Sequence, residues 1–135
     1  MVQSLSAYPI WKWVGPEEFP KFHQADTARF IPVFVIFFFL SFIPQILLFW
    51  FRPSVIPKWM IWLALFLNAT MLISSITIQI PIQIELDKRF SVELIQRLIS
   101  TDFILRVIPL ILLAATNFVM LHRVVKHSIA STDTP

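Results

Sequence analysis

The side chains best suited to chemistry fall near the ends of three apolar segments, on the same predicted side of a membrane. They comprise an imidazole, an amide, two carboxylates and two guanidiniums, from His23, Gln83, Glu85, Asp102, Arg29 and Arg106. Ionisable groups at membrane depth commonly mark functional sites, so this group could take up a proton or bind a headgroup. The alternative is an ion-pair network that ties three helix ends together.

A second polar group lies within the apolar segments. Its members in the second segment are spaced by seven, four and four positions, which places them on one helical face: Asn68, Ser75, Gln79 and Gln83. Gln45 in the first segment and Asn117 in the third lie in the same half of the bilayer as Asn68. Such side chains usually form hydrogen bonds between helices, worth about 0.6–2 kcal/mol each. The functional alternative is a small ligand pocket under an apolar roof.

Several classes of site are excluded. The chain has no cysteine and a single glycine, Gly15, which removes thiolate chemistry and glycine-rich phosphate loops. No histidine lies inside a predicted span, as a haem ligand usually would, and there is no HExxH motif. The basic residues form no run and do not alternate with aromatic ones. We therefore predict no metal, no cofactor and no nucleic-acid partner.

The composition indicates an integral membrane protein. Of 135 residues, 57% are hydrophobic and 14% charged, with a mean hydropathy of +0.76. A soluble domain carries about 25% charged residues. About 20 apolar residues cross a bilayer as a helix, and we predict three spans at about 30–51, 59–80 and 103–125. Pro81 is expected to end the second span near Ile80, and Asp102 is expected to cap the start of the third.

Two further segments are predicted to lie at the membrane surface. Residues 1–29 carry tyrosine and tryptophan, which collect at that boundary, and include an expected short helix from Glu17 to Ala28. Residues 85–97 have helical apolar spacing and an expected cap at Ser91. This amphipathic helix either lies in the interface or packs on the protein. The predicted fold is thus a single all-α membrane domain, 1–135: a three-span bundle with interfacial amphipathic segments.

The cation distribution gives an orientation. The hairpin loop 52–58 and the C-terminus share one face, where cations are almost unopposed by acids. The other face has more cations but also seven acidic residues. Cations in short loops favour the cytoplasm, so we predict a cytoplasmic hairpin loop and C-terminus.

Short motifs along most of the chain resemble a known family. They are Tyr8-Pro9, Trp13-Val14-Gly15, Glu18-Phe19, Phe22-His23 and Arg29, then Gln79-Ile80-Pro81, Leu86, Leu98 and Thr101. This pattern is similar to that of the small bacterial integral membrane proteins grouped with anthrone oxygenase, most of them uncharacterised. The sequence lacks the family's usual first span and has Gln83 where a histidine is frequent. The resemblance implies a bacterial inner (cytoplasmic) membrane location.

Two functions follow as hypotheses. The first is a non-catalytic accessory or assembly subunit of a larger membrane complex. Its first span would dock on a partner helix or a second copy, because the neighbouring Phe37, Phe38 and Phe39 cannot all face the chain's own core. The alternative, implied by the resemblance, is a cofactor-free oxygenase for a lipid-soluble aromatic substrate, which His23, Arg29, Gln83 and Asp102 would bind or activate. An enclosed pocket would favour the enzyme, and a filled interior would favour the subunit.

Overall fold

The computed structural model describes residues 7–132, which form six α-helices and two π-helical turns. The helices are α1 (Tyr8–Trp11), α2 (Phe19–Trp50), α3 (Lys58–Ser74), α4 (Ile80–Leu86), α5 (Val92–Asp102) and α6 (Ile108–Thr132). The π turns are Ser75–Gln79 and Phe103–Val107. No strand occurs among these residues. Residues 1–6 of the predicted interfacial segment lie outside the described range.

Three continuous helical rods are long and apolar enough to cross a membrane, which confirms the predicted all-α, three-span class. The first span is α2. The second span joins α3, a π turn and α4 over residues 58–86, and the third joins α5, a π turn and α6 over residues 92–132. Backbone groups in lipid must be satisfied within the segment, so the spans remain helical despite their many phenylalanines.

The prediction that Pro81 ends the helix near Ile80 is wrong, because the helix continues to Leu86. A proline has no N–H to donate and its ring clashes with the carbonyl four residues earlier. The helix avoids the clash by widening into the π turn just before Pro81, where the N–H of Ile80 bonds to the carbonyl of Ser75. The same arrangement precedes Pro109, where the N–H of Ile108 bonds to the carbonyl of Phe103. Each span therefore continues through its proline, and π turns of this kind are frequent at functional sites.

The predicted start of the third span is also wrong. Asp102 does not cap a helix, because α5 runs into the π turn and α6 without a break. The helix begins at Val92 instead, where the hydroxyl of Ser91 accepts a hydrogen bond from the N–H of Leu94 at 3.3 Å, as expected for that cap. The expected separate helix Glu17–Ala28 is likewise the first part of α2.

One end of the bundle is closed by α1. Tyr8 and Trp11 are buried against Ile95 and Leu98 of α5 and Leu86 of α4. Of the two alternatives for the amphipathic segment, the structure therefore has the helix packed on the protein.

The first span stands at the edge of the bundle. The second and third spans pack along α3 and α6, where Ala64 and Leu67 meet Leu113. The first span packs on α3 and makes little direct contact with α6. Only 6% of its most apolar stretch is buried, against 33% and 28% in the other two spans. Cavities are left between α2 and α6.

Candidate functional site

His23 is held inside the closed end of the bundle by two side chains from the second span. Its Nδ1 lies 2.6 Å from Oδ1 of Asp87, and its Nε2 lies 2.6 Å from Oε1 of Gln83. The imidazole is fully buried, whereas Asp87 is one-third exposed. The predicted proximity of His23 and Gln83 is thus present, and Asp87, which has no distinguishing sequence pattern, completes the group.

Two aromatic rings pack directly against the imidazole. Trp11 meets it edge-on at 4.7 Å between centroids, and Phe19 stacks on it at 5.4 Å. Tyr8 packs on Trp11 at 4.6 Å, and its hydroxyl accepts a 3.4 Å hydrogen bond from the Gln83 amide. The short helix α1 therefore acts as a lid over His23 and Gln83.

This arrangement can hold a proton on His23. The Asp87 carboxylate accepts a hydrogen bond from Nδ1–H, which fixes that nitrogen as a donor. With the Gln83 oxygen facing Nε2, both ring nitrogens donate and the ring is an imidazolium. With the amide turned over, Gln83 donates to Nε2 of a neutral ring. The site thus accommodates both protonation states, and no ring nitrogen is left open to a substrate.

Asp102 and Arg106 form a second, separate pair at the same end. The Nη1 of Arg106 donates to Oδ1 of Asp102 at 3.0 Å, with 12% and 1% of the two side chains exposed. The guanidinium also lies 4.5 Å from the centre of the Phe34 ring, a cation–π contact. Oδ2 of Asp102 and Nε of Arg106 have no hydrogen-bond partner in the described range.

Arg29 and Glu85 do not join the site. Arg29 is exposed on the outside of α2. Glu85 pairs instead with Lys88 and Arg89 at the protein surface, at 3.7 and 3.0 Å. The predicted meeting of all the end groups is therefore wrong for these two.

A cavity of about 150 Å³, which we call the polar cavity, lies beside the two groups. Gln83, Asp87 and Arg106 line it together with Thr27 and Gln79. Both polar atoms of the Gln79 amide and the hydroxyl of Thr27 are buried without a hydrogen-bond partner among residues 7–132. Buried polar atoms are nearly always paired with protein or water, so this cavity is suited to water or to a polar part of a ligand.

Arg106 also lines a second cavity, of about 310 Å³, inside the membrane region. We call it the aromatic cavity, because its walls include Phe34, Phe37 and Phe38, with Met71, Leu110 and Asn68. Arg106 therefore borders both the polar cavity and the aromatic cavity.

The predicted intramembrane polar face is directed inward, as expected. Asn68, Ser75 and Gln79 are buried, and Asn68 donates to the Gln45 oxygen at 2.5 Å, linking the first two spans. Oδ1 of Asn68 and Nε2 of Gln45 have no partner in the described structure. Ser75 bonds to its own helix at the Met71 carbonyl. Asn117 is half-buried and lines a further cavity.

The burial of Tyr8 in the lid changes the pKa of its hydroxyl and therefore the pH dependence of stability. Burial, assisted by the nearby Asp102 charge, raises the pKa of Tyr8 above that of an ordinary tyrosine. The folded state then keeps the Tyr8 proton when the unfolded state loses it. The contribution of Tyr8 to stability is therefore constant below about pH 10 and falls above it, by up to about 1.4 kcal/mol per pH unit.

We expect no phenolate absorbance from this single tyrosine in folded protein at a pH where free tyrosine is half ionised, and full absorbance after unfolding. Tyr8→Phe should remove the alkaline loss of stability. Phenolate appearing in folded protein at the pH of free tyrosine would contradict the buried lid.

The fold and site define an all-α integral membrane protein with three spans and a buried polar site at one end. No cluster of three His, Cys, Asp or Glu side chains able to hold a metal occurs in residues 7–132. Comparisons with protein-family models, curated proteins and solved structures gave no match.

Proposed function

We propose that this protein binds a lipid-soluble aromatic molecule, with the ring in the aromatic cavity and a carbonyl or hydroxyl oxygen at Arg106. The observation that supports the proposal is the position of Arg106, which lines both the polar and the aromatic cavity. Its buried Nε has no hydrogen-bond partner among residues 7–132. An unpaired buried donor costs about 1–3 kcal/mol, and a ligand oxygen would remove that cost.

The charge of the site favours an uncharged ligand. Asp102 already neutralises Arg106, so the pair offers a donor without offering net positive charge. The walls at Phe34, Phe37 and Phe38 suit a flat ring, because aromatic pairs stabilise each other by about 0.5–1.5 kcal/mol beyond burial. An aromatic ketone, phenol or quinone has both features.

The polar cavity gives the site an acid–base route if the protein is an enzyme. Water in it would connect a ligand at Arg106 with Asp87 and Gln83, which hold His23. In the cofactor-free oxygenation that the resemblance implies, a ring CH₂ and O₂ give C=O and water. Proton loss from the substrate comes first. Arg106 would stabilise the oxyanion, the His23 group would store the proton, and Asp102 would position Arg106.

Naphthoquinone binding tests this proposal in lipid nanodiscs, with protein-free discs as background. Leu110 lines the aromatic cavity, so Leu110→Trp should fill it and weaken binding about tenfold or more, a loss of at least about 1.4 kcal/mol. Leu112→Trp makes the same change two residues away at an exposed position outside the cavity, and should leave affinity within about twofold. Equal effects of the two substitutions, or no saturable binding to wild type, would contradict the proposal.

The accessory-subunit hypothesis is a second candidate, supported by the exposure of the first span. Phe39 and Leu40 are 51% and 63% exposed, and close packing with a partner helix or a second copy would cover them. A photo-crosslinker at Phe39 should then capture one defined protein from native membranes. Capture of lipid alone, with the chain monomeric, would contradict it.

We also propose a bacterial inner-membrane location with the loop 52–58 and the C-terminus in the cytoplasm, on the basis of their unopposed cations. The chain has no native cysteine, so single cysteines report cleanly. Cysteines at Arg52 and His127 should be protected from an impermeant reagent added outside, and one at Lys88 should react. The reverse pattern would contradict this orientation.

A further inference from the structure

A third cavity continues the aromatic cavity toward the other membrane surface. It has a volume of about 370 Å³ and lies between the first span and α6. Its polar lining residues are Ser41, Gln45 and Asn117. The other lining residues are apolar: Leu40, Pro44, Leu48, Ile56, Met120, Leu121 and Val124. Ser41 lines this cavity and the aromatic cavity alike. The two cavities adjoin at Ser41 and together form one groove. We call the part of this groove that is formed by the third cavity the tail groove.

The combined groove is nearly as long as the hydrocarbon core of a bilayer is thick. Its lining on the third span runs from Arg106 to Val124, which is about 27 Å at a rise of about 1.5 Å per residue. The hydrocarbon core of a bilayer is about 30 Å thick. A molecule with its oxygen at Arg106 could therefore extend through the groove to the opposite interface.

The volume of the groove accommodates one hydrocarbon chain. A single chain about 4 Å wide at van der Waals contact fills on the order of 300 Å³ over the length of the groove. The two cavities have volumes of about 310 and 370 Å³, so one chain fits within them.

We propose that the aromatic ligand carries a long hydrocarbon tail, as a prenylated or alkylated quinone or phenol does, and that the tail groove holds this tail. The inference rests on the proposed function, because the ring at Arg106 fixes where the tail begins. The tail gains little from leaving lipid, which is equally apolar. Its advantage comes from filling space between α2 and α6 that would otherwise lose contacts.

The test compares naphthoquinone with dodecyl-naphthoquinone, each measured on the full chain in nanodiscs. We expect wild type to bind the dodecyl compound about fivefold or more tightly, after correction for its partition into protein-free discs. Leu48→Trp, at a residue that lines only the tail groove, should obstruct the groove and abolish this preference while ring binding stays within about twofold. Leu47→Trp, at the neighbouring exposed position of the same helix, is the matched control and should keep the preference.

The outcomes separate the two proposals. If neither compound binds, the proposed function fails and this inference fails with it. If both bind equally to wild type, or if the preference survives Leu48→Trp, the tail groove is wrong and the ring site stands. Val124→Trp, at a second residue that lines only the tail groove, provides another obstruction should Leu48→Trp not fold, and should likewise abolish the preference. A preference that survives Val124→Trp would also overturn the inference.

Discussion

Asp102→Leu is expected to lower the free energy of unfolding by about 3–5 kcal/mol, because it leaves Arg106 buried and unpaired. The Arg106 side chain is only 12% exposed, and within residues 7–132 its one charged partner at hydrogen-bond distance is Asp102. The value exceeds the loss of about 0.5–2 kcal/mol expected for removing a helix cap, the role that the sequence suggested. Unfolding in mixed micelles with increasing sodium dodecyl sulfate measures it.

The double variant Asp102→Leu/Arg106→Met is the matched control. Replacing both members of a buried ion pair with apolar side chains is often neutral or stabilising, so we expect it to unfold within about 1 kcal/mol of wild type. A double variant at least as unstable as Asp102→Leu alone would show that the pair does not act as a unit.

Trp11→Ala is expected to destabilise the protein by about 3–5 kcal/mol, the usual cost of truncating a large buried aromatic side chain. Trp11 is 2% exposed and contacts Tyr8, Phe19 and His23. Its removal would leave a cavity beneath the lid and open the imidazole to water.

Trp13→Ala provides the comparison from the same segment. Trp13 is 88% exposed, and surface substitutions usually change stability by less than about 0.5 kcal/mol. The same unfolding measurement applies to both variants. Similar losses for Trp11→Ala and Trp13→Ala would mean that α1 does not close the bundle.

The span count could be predicted because the first two spans contain uncharged runs longer than a bilayer requires, and the third is charged only near its ends, as at Arg106. Helix ends were harder, since they depend on how each proline is accommodated. Pro81 on its own predicts a helix end, whereas a π turn before it keeps the second span continuous. A π turn precedes Pro109, the second residue of α6, in the same way. A proline near the same end of two spans is a signal that could have indicated both turns.

The candidate site could be predicted from the sequence only in part. His23 and Gln83 lie on inward faces and meet, but Arg29 lies six residues beyond His23. At about 100° per residue, its side chain lies about 120° from that of His23 around the helix. This separation applies because α2 runs unbroken through residue 29. Tyr8 and Asp87 enter only through the packing of the lid and the extension of the second span past Pro81. No local pattern in the sequence contains that information.

Naphthoquinone binding to the double variant Asp102→Leu/Arg106→Met in nanodiscs is the most direct test of the role of Arg106. This variant is expected to keep the stability of wild type while losing the guanidinium of a residue that lines both the polar and the aromatic cavity. We expect binding that is about tenfold weaker or absent, with the unfolding transition nearly unchanged. Wild-type affinity in a stably folded double variant would contradict the placement of the ligand oxygen at Arg106.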